Sequence, residues 1–483
     1  MRVHDKLYIG GEWVDPAGTG VIDVISPHTE EVVGRVPDAT EADVDRAVDA
    51  ARRSFDDGEW SRRSPAERIA VLRKFSDLYM ANLGPMAEVI TEEMGSPISF
   101  SNLAQAPAPW MILTSYLDIA EAYPWEETRP GVLGTPILVR RAPVGVVGAI
   151  VPWNVPQFTL MTKLAPALIA GDSIVIKPSP ETPLDSILLA DMLTEAGIPK
   201  GVVSILPAGR EVGEHLVRHA GIDKIAFTGS TAAGRRIAAI CGEQLKRVSL
   251  ELGGKSAAIV LDDADLENFS NNLLFASVMN SGQACVAQTR ILASKKNYGD
   301  VLDAVTGVFS KFNVGDPSDP ATDVGPLVAQ RQQERVEKYI ALGQEEGAKV
   351  AIGGNGRPEG LDRGWYVQPT VFSEVDNSMR IAQEEIFGPV LVVIPYEDEA
   401  DALRIANDSE YGLAGSVWTE DQAHGVDIAR QVRTGTYGVN IYTMDFTAPF
   451  GGFKGSGIGR EFGPEGLDEY VELQSIAVPA PPA

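Results

Sequence analysis

The chain has 483 residues, 44% of them hydrophobic and 22% charged, and carries a net charge of −26. These proportions are those of a soluble globular protein with length for about three domains. An acidic surface repels phosphate backbones, which sets nucleic-acid binding aside.

The N-terminus, Met1 to Leu7, has no apolar h-region, so no secretory signal is expected. Two amphipathic helices come early. Thr40 caps the first, with Asp43 at N3 and Val44, Ala47, Val48 and Ala51 on one face. Ser64-Pro65-Ala66-Glu67 opens the second as a capping box with Pro at N1, followed by Leu72, Phe75 and Tyr79 at helical spacing. Pro136 to Arg141 reads as a half-exposed strand outside the main sheet. The longest uncharged run lies between Arg141 and Lys163. It holds three prolines, Asn154 and Gln157, which a bilayer would leave unsatisfied, so it reads as buried strand plus loop and no membrane is expected.

From about Val144, apolar runs alternate with helical patterns. Strands are expected at Val146–Val151, Ser173–Ile176, Val203–Leu206 and Lys224–Phe227, and helices near Leu184–Glu195, Glu211–His219 and Thr231–Ile240. Such interleaving predicts βαβ units and a doubly wound parallel sheet. A second alternating region follows Cys285, predicting a second α/β domain. The end, Val478 to Ala483, is expected to fray.

Two cysteines and no export signal point to a reducing cytoplasm. Cys241 reads as a small core residue; a Cys241–Cys285 disulfide is allowed by count and opposed by the compartment. No metal site is expected. Cys285 lies in Gly282-Gln283-Ala284-Cys285, among small and polar residues. Upstream stand Glu251 in Glu251-Leu252-Gly253-Gly254-Lys255 and Asn154 in Pro152-Trp153-Asn154. A thiolate that attacks, an amide that holds an oxyanion and a carboxylate that activates water are what covalent oxidation of a carbonyl requires. Taken singly, a lone Cys is more often inert, and a Gly-flanked Glu or Asn more often a turn residue.

Three strand ends carry Gly or polar loops: Lys177-Pro178-Ser179, Gly209 to Gly213, and Phe227-Thr228-Gly229-Ser230. Free N–H groups at helix starts suit a pyrophosphate. No GxGxxG follows a strand here, and Gly455 to Arg460 lacks a following βαβ unit, so it is not read as a nucleotide loop.

Together these motifs resemble the aldehyde dehydrogenase superfamily, end to end. Also matching are Glu385-Ile386-Phe387-Gly388-Pro389 and Pro449 to Lys454 with Gly457, Gly459 and Arg460. The resemblance implies an NAD(P)-dependent oxidation of an aldehyde to its acid. It implies Cys285 as nucleophile, Glu251 as base for thioester hydrolysis, Asn154 with the Cys285 N–H as oxyanion hole, and Lys163 close by. It places NAD along Val151, Pro152, Trp153, Lys177, Ser179, Gly209, Gly213, Phe227, Gly229, Ser230 and Leu252, with Glu385 and Phe387 at the nicotinamide end. It implies a Rossmann-like cofactor domain (1–123 and 144–253), a catalytic domain (254–453) and an oligomerisation element (124–143 and 466–483) making a homodimer or homotetramer.

The family's common Lys-Pro-x-Glu pattern has Pro180 in the Glu position, with Glu181 one step late. A missing carboxylate weakens exclusion of a 2′-phosphate, so NAD is expected with NADP admitted. The expected pocket wall, Val155, Thr162, Ala284, Val286, Met444 and Phe450, offers no cation to pair a substrate carboxylate and no full aromatic cage. An uncharged aliphatic or aromatic aldehyde fits it. Two alternatives, a CoA-acylating semialdehyde dehydrogenase and a non-catalytic protein on the scaffold, predict loss of Glu251 or of the catalytic set. Neither loss occurs.

Overall fold

The computed structural model describes residues 1–478; residues 479–483 of the tail expected to fray lie outside them. Both early helices start on side-chain caps. The Asp43 carboxylate accepts from the Thr40 N–H (2.9 Å) and hydroxyl (2.8 Å), and the helix Glu41–Asp56 buries Val44, Ala47, Val48 and Ala51. Glu67 does the same for Ser64 ahead of Pro65–Ala81.

The long uncharged run becomes a fully buried strand, Val146–Ile150, a loop, and the buried helix Pro156–Ala170. That strand is the centre of an eight-stranded sheet. Five strands run parallel, in spatial order 247–251, 224–228, 146–150, 173–177 and 203–205. Numbered along the chain from Val146 this is 5-4-1-2-3, the dinucleotide-binding order, with its reversal between 146–150 and 224–228. Antiparallel edges close it: Gly457–Ile458 on one side, Leu7–Ile9 and Glu12–Val14 on the other. The four strands and three helices expected between Val146 and Ile240 stand within one residue of their places, except that Thr231–Gln244 runs four residues longer.

A second sheet has seven strands, in order 349–352, 370–373, 390–396, 290–294, 257–260, 415–418 and 438–439. All but the first run parallel. The hairpin Glu126–Arg129 and Ile137–Pro143 forms a separate sheet with Val471–Ala477, which pairs antiparallel along all of Ile137–Pro143. A three-stranded sheet near the N-terminus joins Arg2–Val3, Val21–Ile25 and Val32–Pro37. Among the described residues, no helix is long and apolar enough to cross a membrane, and no three His, Cys, Asp or Glu side chains gather to hold a metal. Both cysteines are free, and Cys241 is fully buried.

Candidate active site

At the strand-order reversal, the carboxyl ends of the first sheet open into a cavity of about 700 Å³. Val151, Pro152 and Trp153 follow the first strand; Lys177 and Ser179 follow the second; Gly209 and Gly213 begin the helix after the third. Phe227 lies near the carboxyl end of the fourth, and Gly229 and Ser230 follow it. Ser230 caps Thr231–Gln244, its hydroxyl accepting from the Ala233 N–H at 3.3 Å. Gly213 faces the Lys177 side chain, where an added Cβ would lie 3.2 Å from Cδ. The Lys177 ammonium donates to the Pro178 and Ala208 carbonyls, each at 2.8 Å. Burial pushes it down to about 8, against Glu181 and Asp38, which raise it.

One expectation is corrected here. The sequence reading took Pro180 to leave this cavity without a carboxylate. Ser179 to Thr182 is instead a β-turn, closed by the Thr182 N–H on the Ser179 carbonyl at 3.2 Å. Pro180 stands at the turn position that favours its fixed φ. The turn folds Glu181 back to line the cavity, hydrogen-bonded to the Ser179 hydroxyl and paired with Arg331 at 2.7 Å.

A second cavity of about 220 Å³ shares Pro152, Trp153, Thr228, Gly229 and Ser230 with the first and ends at Cys285. Asn154, Leu252, Glu385 and Phe387 also line it. Trp153 and Phe387 meet edge to face, centroids 5.4 Å apart. The Glu385 carboxylate accepts from the Gly254 N–H at 3.0 Å and covers Gly253, where a Cβ would sit 2.6 Å from its Oε2. Burial raises Glu385, with the Gly254 N–H and Arg335 and Lys255 opposing.

Asn154 Nδ2 donates to the Gln283 carbonyl at 2.9 Å, its one bond among the described residues, which leaves a second amide hydrogen. The Asn154 carbonyl accepts from Asn280 Nδ2 (2.8 Å) and Gln105 Nε2 (3.0 Å). Cys285 is half-buried at the cavity end. Burial first, then Glu385 and Glu251, push its thiol up to about 12, while its own backbone N–H acts the other way. The resting thiol is therefore protonated, and its activation requires a proton acceptor.

Glu251 closes its strand and is nearly buried, its Oε2 without a partner among the described residues. Burial pushes it well above the usual carboxylate range; Glu461 adds to this, and Lys163 and Arg460 oppose. Lys163, itself buried, donates to Glu461 and Thr228 Oγ1, both at 2.7 Å, so its charge answers Glu461 directly. The segment not read as a nucleotide loop pins this strand end. The Leu252 N–H donates to the Ser456 carbonyl (2.9 Å), and Ser456 Oγ to the Gly253 carbonyl (2.7 Å).

Of the expected pocket wall, Val155 lines the cavity, but Thr162 is fully buried and bonds the Thr159 carbonyl. Thr159 is the helix residue that faces the cavity. Ala284, Val286 and Phe450 lie in the core against which Cys285 and Met444 pack. Phe158, Phe446 and Phe462, with centroids 5.1–6.1 Å apart, belong to the same apolar cluster and were not read from the sequence. Nor were Arg331, Gln332 and Arg335, on the helix Gln330–Glu345. Gln332 donates to the Phe387 carbonyl (2.8 Å), and Arg335 to the carbonyls of Glu385 and Ile386. No motif marks that helix; only its spacing as an amphipathic segment was available.

The family model described as "Aldehyde dehydrogenase family" matches residues 13–476. A geranial dehydrogenase of Castellaniella defragrans is 48% identical over 98% of each chain. A 3-succinoylsemialdehyde-pyridine dehydrogenase of a Pseudomonas species is 43% identical over 99% of each. The crystal structure of a Mycobacterium tuberculosis aldehyde dehydrogenase with NAD+ superposes at a TM-score of 0.97, with 50% identity and 99% of each chain covered. The chain belongs to the aldehyde dehydrogenase family.

Proposed function

We propose that this member of the family oxidises an uncharged, largely apolar aldehyde to the carboxylic acid with NAD as oxidant. The observation that carries the proposal is the continuity of the two cavities, which lead from Lys177 and Ser230 to Cys285 and Asn154. The first cavity fits a dinucleotide. It lies at the order reversal of a parallel sheet, has two helix N-termini at its floor, and has glycines at 209, 213 and 229 where the backbone must come close. Ser230 would hold the pyrophosphate, Lys177 the adenosine ribose, and Glu385 the nicotinamide ribose, with Phe387 against the ring.

The Cys285 thiol gives its proton to Glu251, and Sγ adds to the carbonyl carbon. The oxyanion takes the free Asn154 amide hydrogen and the Cys285 N–H. NAD, held by Glu385 and Phe387 at its nicotinamide end, would supply the acceptor for the hydride that leaves the carbonyl carbon. What remains on Cys285 is a thioester. Glu251 passes that first proton to solvent and then draws one from water; the hydroxide attacks the acyl carbon, and the C–S bond breaks to release the acid and the Cys285 thiolate, which takes the second proton back from Glu251. Glu251 suits both proton steps because burial raises its proton affinity above that of an ordinary carboxylate. The apolar cluster of Phe158, Phe446 and Phe462, in the core against which Cys285 packs, supports an uncharged substrate, and the relative named for geranial agrees with that class.

The three-part division at 1–123 with 144–253, 254–453, and 124–143 with 466–483 belongs to this reading, as does self-assembly. Val471–Ala477 pairs on one side only, Leu473 on it is exposed, and Val132 and Leu133 project from the hairpin tip. Two free cysteines suit a reducing cytoplasm. A panel of aldehydes, run with NAD and NADP and read as reduced-cofactor absorbance, tests the activity. Turnover of apolar aldehydes with NAD is expected, and none with any aldehyde would refute it. Light scattering reporting a 51.7 kDa monomer would refute assembly.

A further inference from the structure

We infer that Glu181 and Arg331 together set the choice between NAD and NADP, Glu181 as the acceptor for the adenosine ribose hydroxyls and Arg331 as the group that holds it there. The inference rests on the cofactor reading above and deepens it.

The two residues come from opposite walls of the cleft. Glu181 follows strand Ser173–Lys177 of the first sheet. Arg331 sits in the first turn of Gln330–Glu345, a helix whose Val336 and Ile340 are buried in the core of the second sheet. Both line the larger cavity, next to Lys177. Glu181 is close enough to Lys177 to be the leading charge that raises it.

A carboxylate offers about four lone-pair sites. Here one oxygen takes the Ser179 hydroxyl and the other takes Arg331 at 2.7 Å. Two sites stay open for a vicinal diol. The Ser179–Thr182 turn fixes the backbone and Arg331 fixes the side chain, so little rotamer freedom remains to be lost on binding. Formal charge around the ribose is then Lys177 and Arg331 against Glu181, one net positive. A 2′-phosphate meets two cations but also a carboxylate whose acceptor sites face it. NAD satisfies that carboxylate; NADP repels it. The pair is half-exposed, with Arg331 the more open partner, so as an isolated ion pair it contributes little to folding. Its effect is on what the cavity accepts.

The test is equilibrium binding to the full-length protein, followed by the fluorescence of NADH and NADPH, for wild type, Glu181→Gln, Arg331→Ala and the double variant. Glu181→Gln should lower the ratio of the NADPH to the NADH dissociation constant by about tenfold, the scale of one charge-assisted hydrogen bond. Adding Arg331→Ala should reverse most of that gain, because the freed guanidinium is what then meets the phosphate. A ratio that moves less than about twofold in Glu181→Gln, in a wild type that binds NADH, overturns this inference alone. A wild type that binds neither reduced cofactor overturns the cofactor reading and this inference with it.

Discussion

The two parallel sheets present opposite edges to the same cleft. The first gives its carboxyl ends: Val151 to Asn154, Lys177 to Glu181, Gly209, Gly229 to Ser230, and Glu251 to Gly253 all end or follow strands. The second gives its amino ends: Gly254–Lys255, Cys285, and Glu385 to Phe387 all precede strands. A carboxyl edge of βαβ units repeats one device, a strand that turns into a helix N-terminus, so the backbone alone makes an anion site. An amino edge has no such device, and the second sheet shapes its loops by side-chain bonds and unusual backbone. Asn280 (φ 54°), Ser281 (φ 59°) and Phe387 (φ 67°) are left-handed without being glycine, at a cost of roughly 1–2 kcal/mol each. Polar side chains hold them: Asn280 Nδ2 donates to the Asn154 carbonyl, Ser281 Oγ accepts from the Gly325 N–H, and Gln332 Nε2 donates to the Phe387 carbonyl. The Lys177–Ser230 end of the cleft rests on generic geometry and the Cys285 end on over-determined geometry.

The sharpest break in that comparison comes from Cys285→Ala. It should cut turnover by at least about a thousandfold while NADH still binds as in wild type. Cys241→Ala, buried beneath the first sheet, should leave turnover intact in folded protein. Assays of both, beside cofactor titrations, check this; turnover surviving in the first would end the nucleophile assignment.

Next comes Glu251→Gln. A base lost from the hydrolytic step should slow the steady state by about 10²–10⁴. A burst of reduced cofactor should precede it in stopped flow, since acylation comes before hydrolysis. Because the proposed mechanism also gives Glu251 the thiol's proton, the burst itself should be slower than in wild type. An unchanged steady state would remove Glu251 from the water step.

How far each sheet could be read from the sequence follows the same division. The four strands expected of the first stand within a residue of their places, because alternation of apolar runs with helical spacing is a local signal. Cys285, Glu251 and Asn154 were legible as motif residues. Their supports were not. Gln105 lies 49 positions from the Asn154 carbonyl it bonds, and Glu461 lies 298 from Lys163. Nothing local marks such partners. Gly457–Ile458, dismissed as a nucleotide loop, proves to be the edge strand that fixes Glu251. Glu181 was misjudged because counting positions after Lys177 ignores the turn that Pro180 makes.

Asn280→Ala probes the second edge without touching the reacting groups. It removes the bond to the Asn154 carbonyl and the side chain best suited to this left-handed position. The oxyanion donor would then be loosened rather than lost. An expected fall of about tenfold in kcat, with NADH affinity unchanged, separates positioning from binding. Rescue by Asn280→Asp, which also tolerates the backbone but cannot donate, should fail. Equal loss of kcat and cofactor affinity would mean that the two edges are not independent.

The smallest effect, and the one confined to the first edge, is a pH dependence at Lys177. Burial holds this ammonium down to about 8, so it is mostly charged at pH 7 and mostly neutral at pH 9. A neutral amine keeps its hydrogens and can still donate to a ribose hydroxyl, but it no longer attracts a 2′-phosphate. NADPH binding should therefore weaken as pH rises through 8, by up to about tenfold per unit once the proton is lost, while NADH binding changes less. The phosphate itself acts in the opposite direction by favouring the charged form, which moves the onset above 8 in the NADPH complex. Fluorescence titrations of both reduced cofactors from pH 6.5 to 9.5, chosen to span that range, measure the divergence. Curves that stay parallel would place Lys177 away from the ribose, whatever its hydrogen bonds in the free protein.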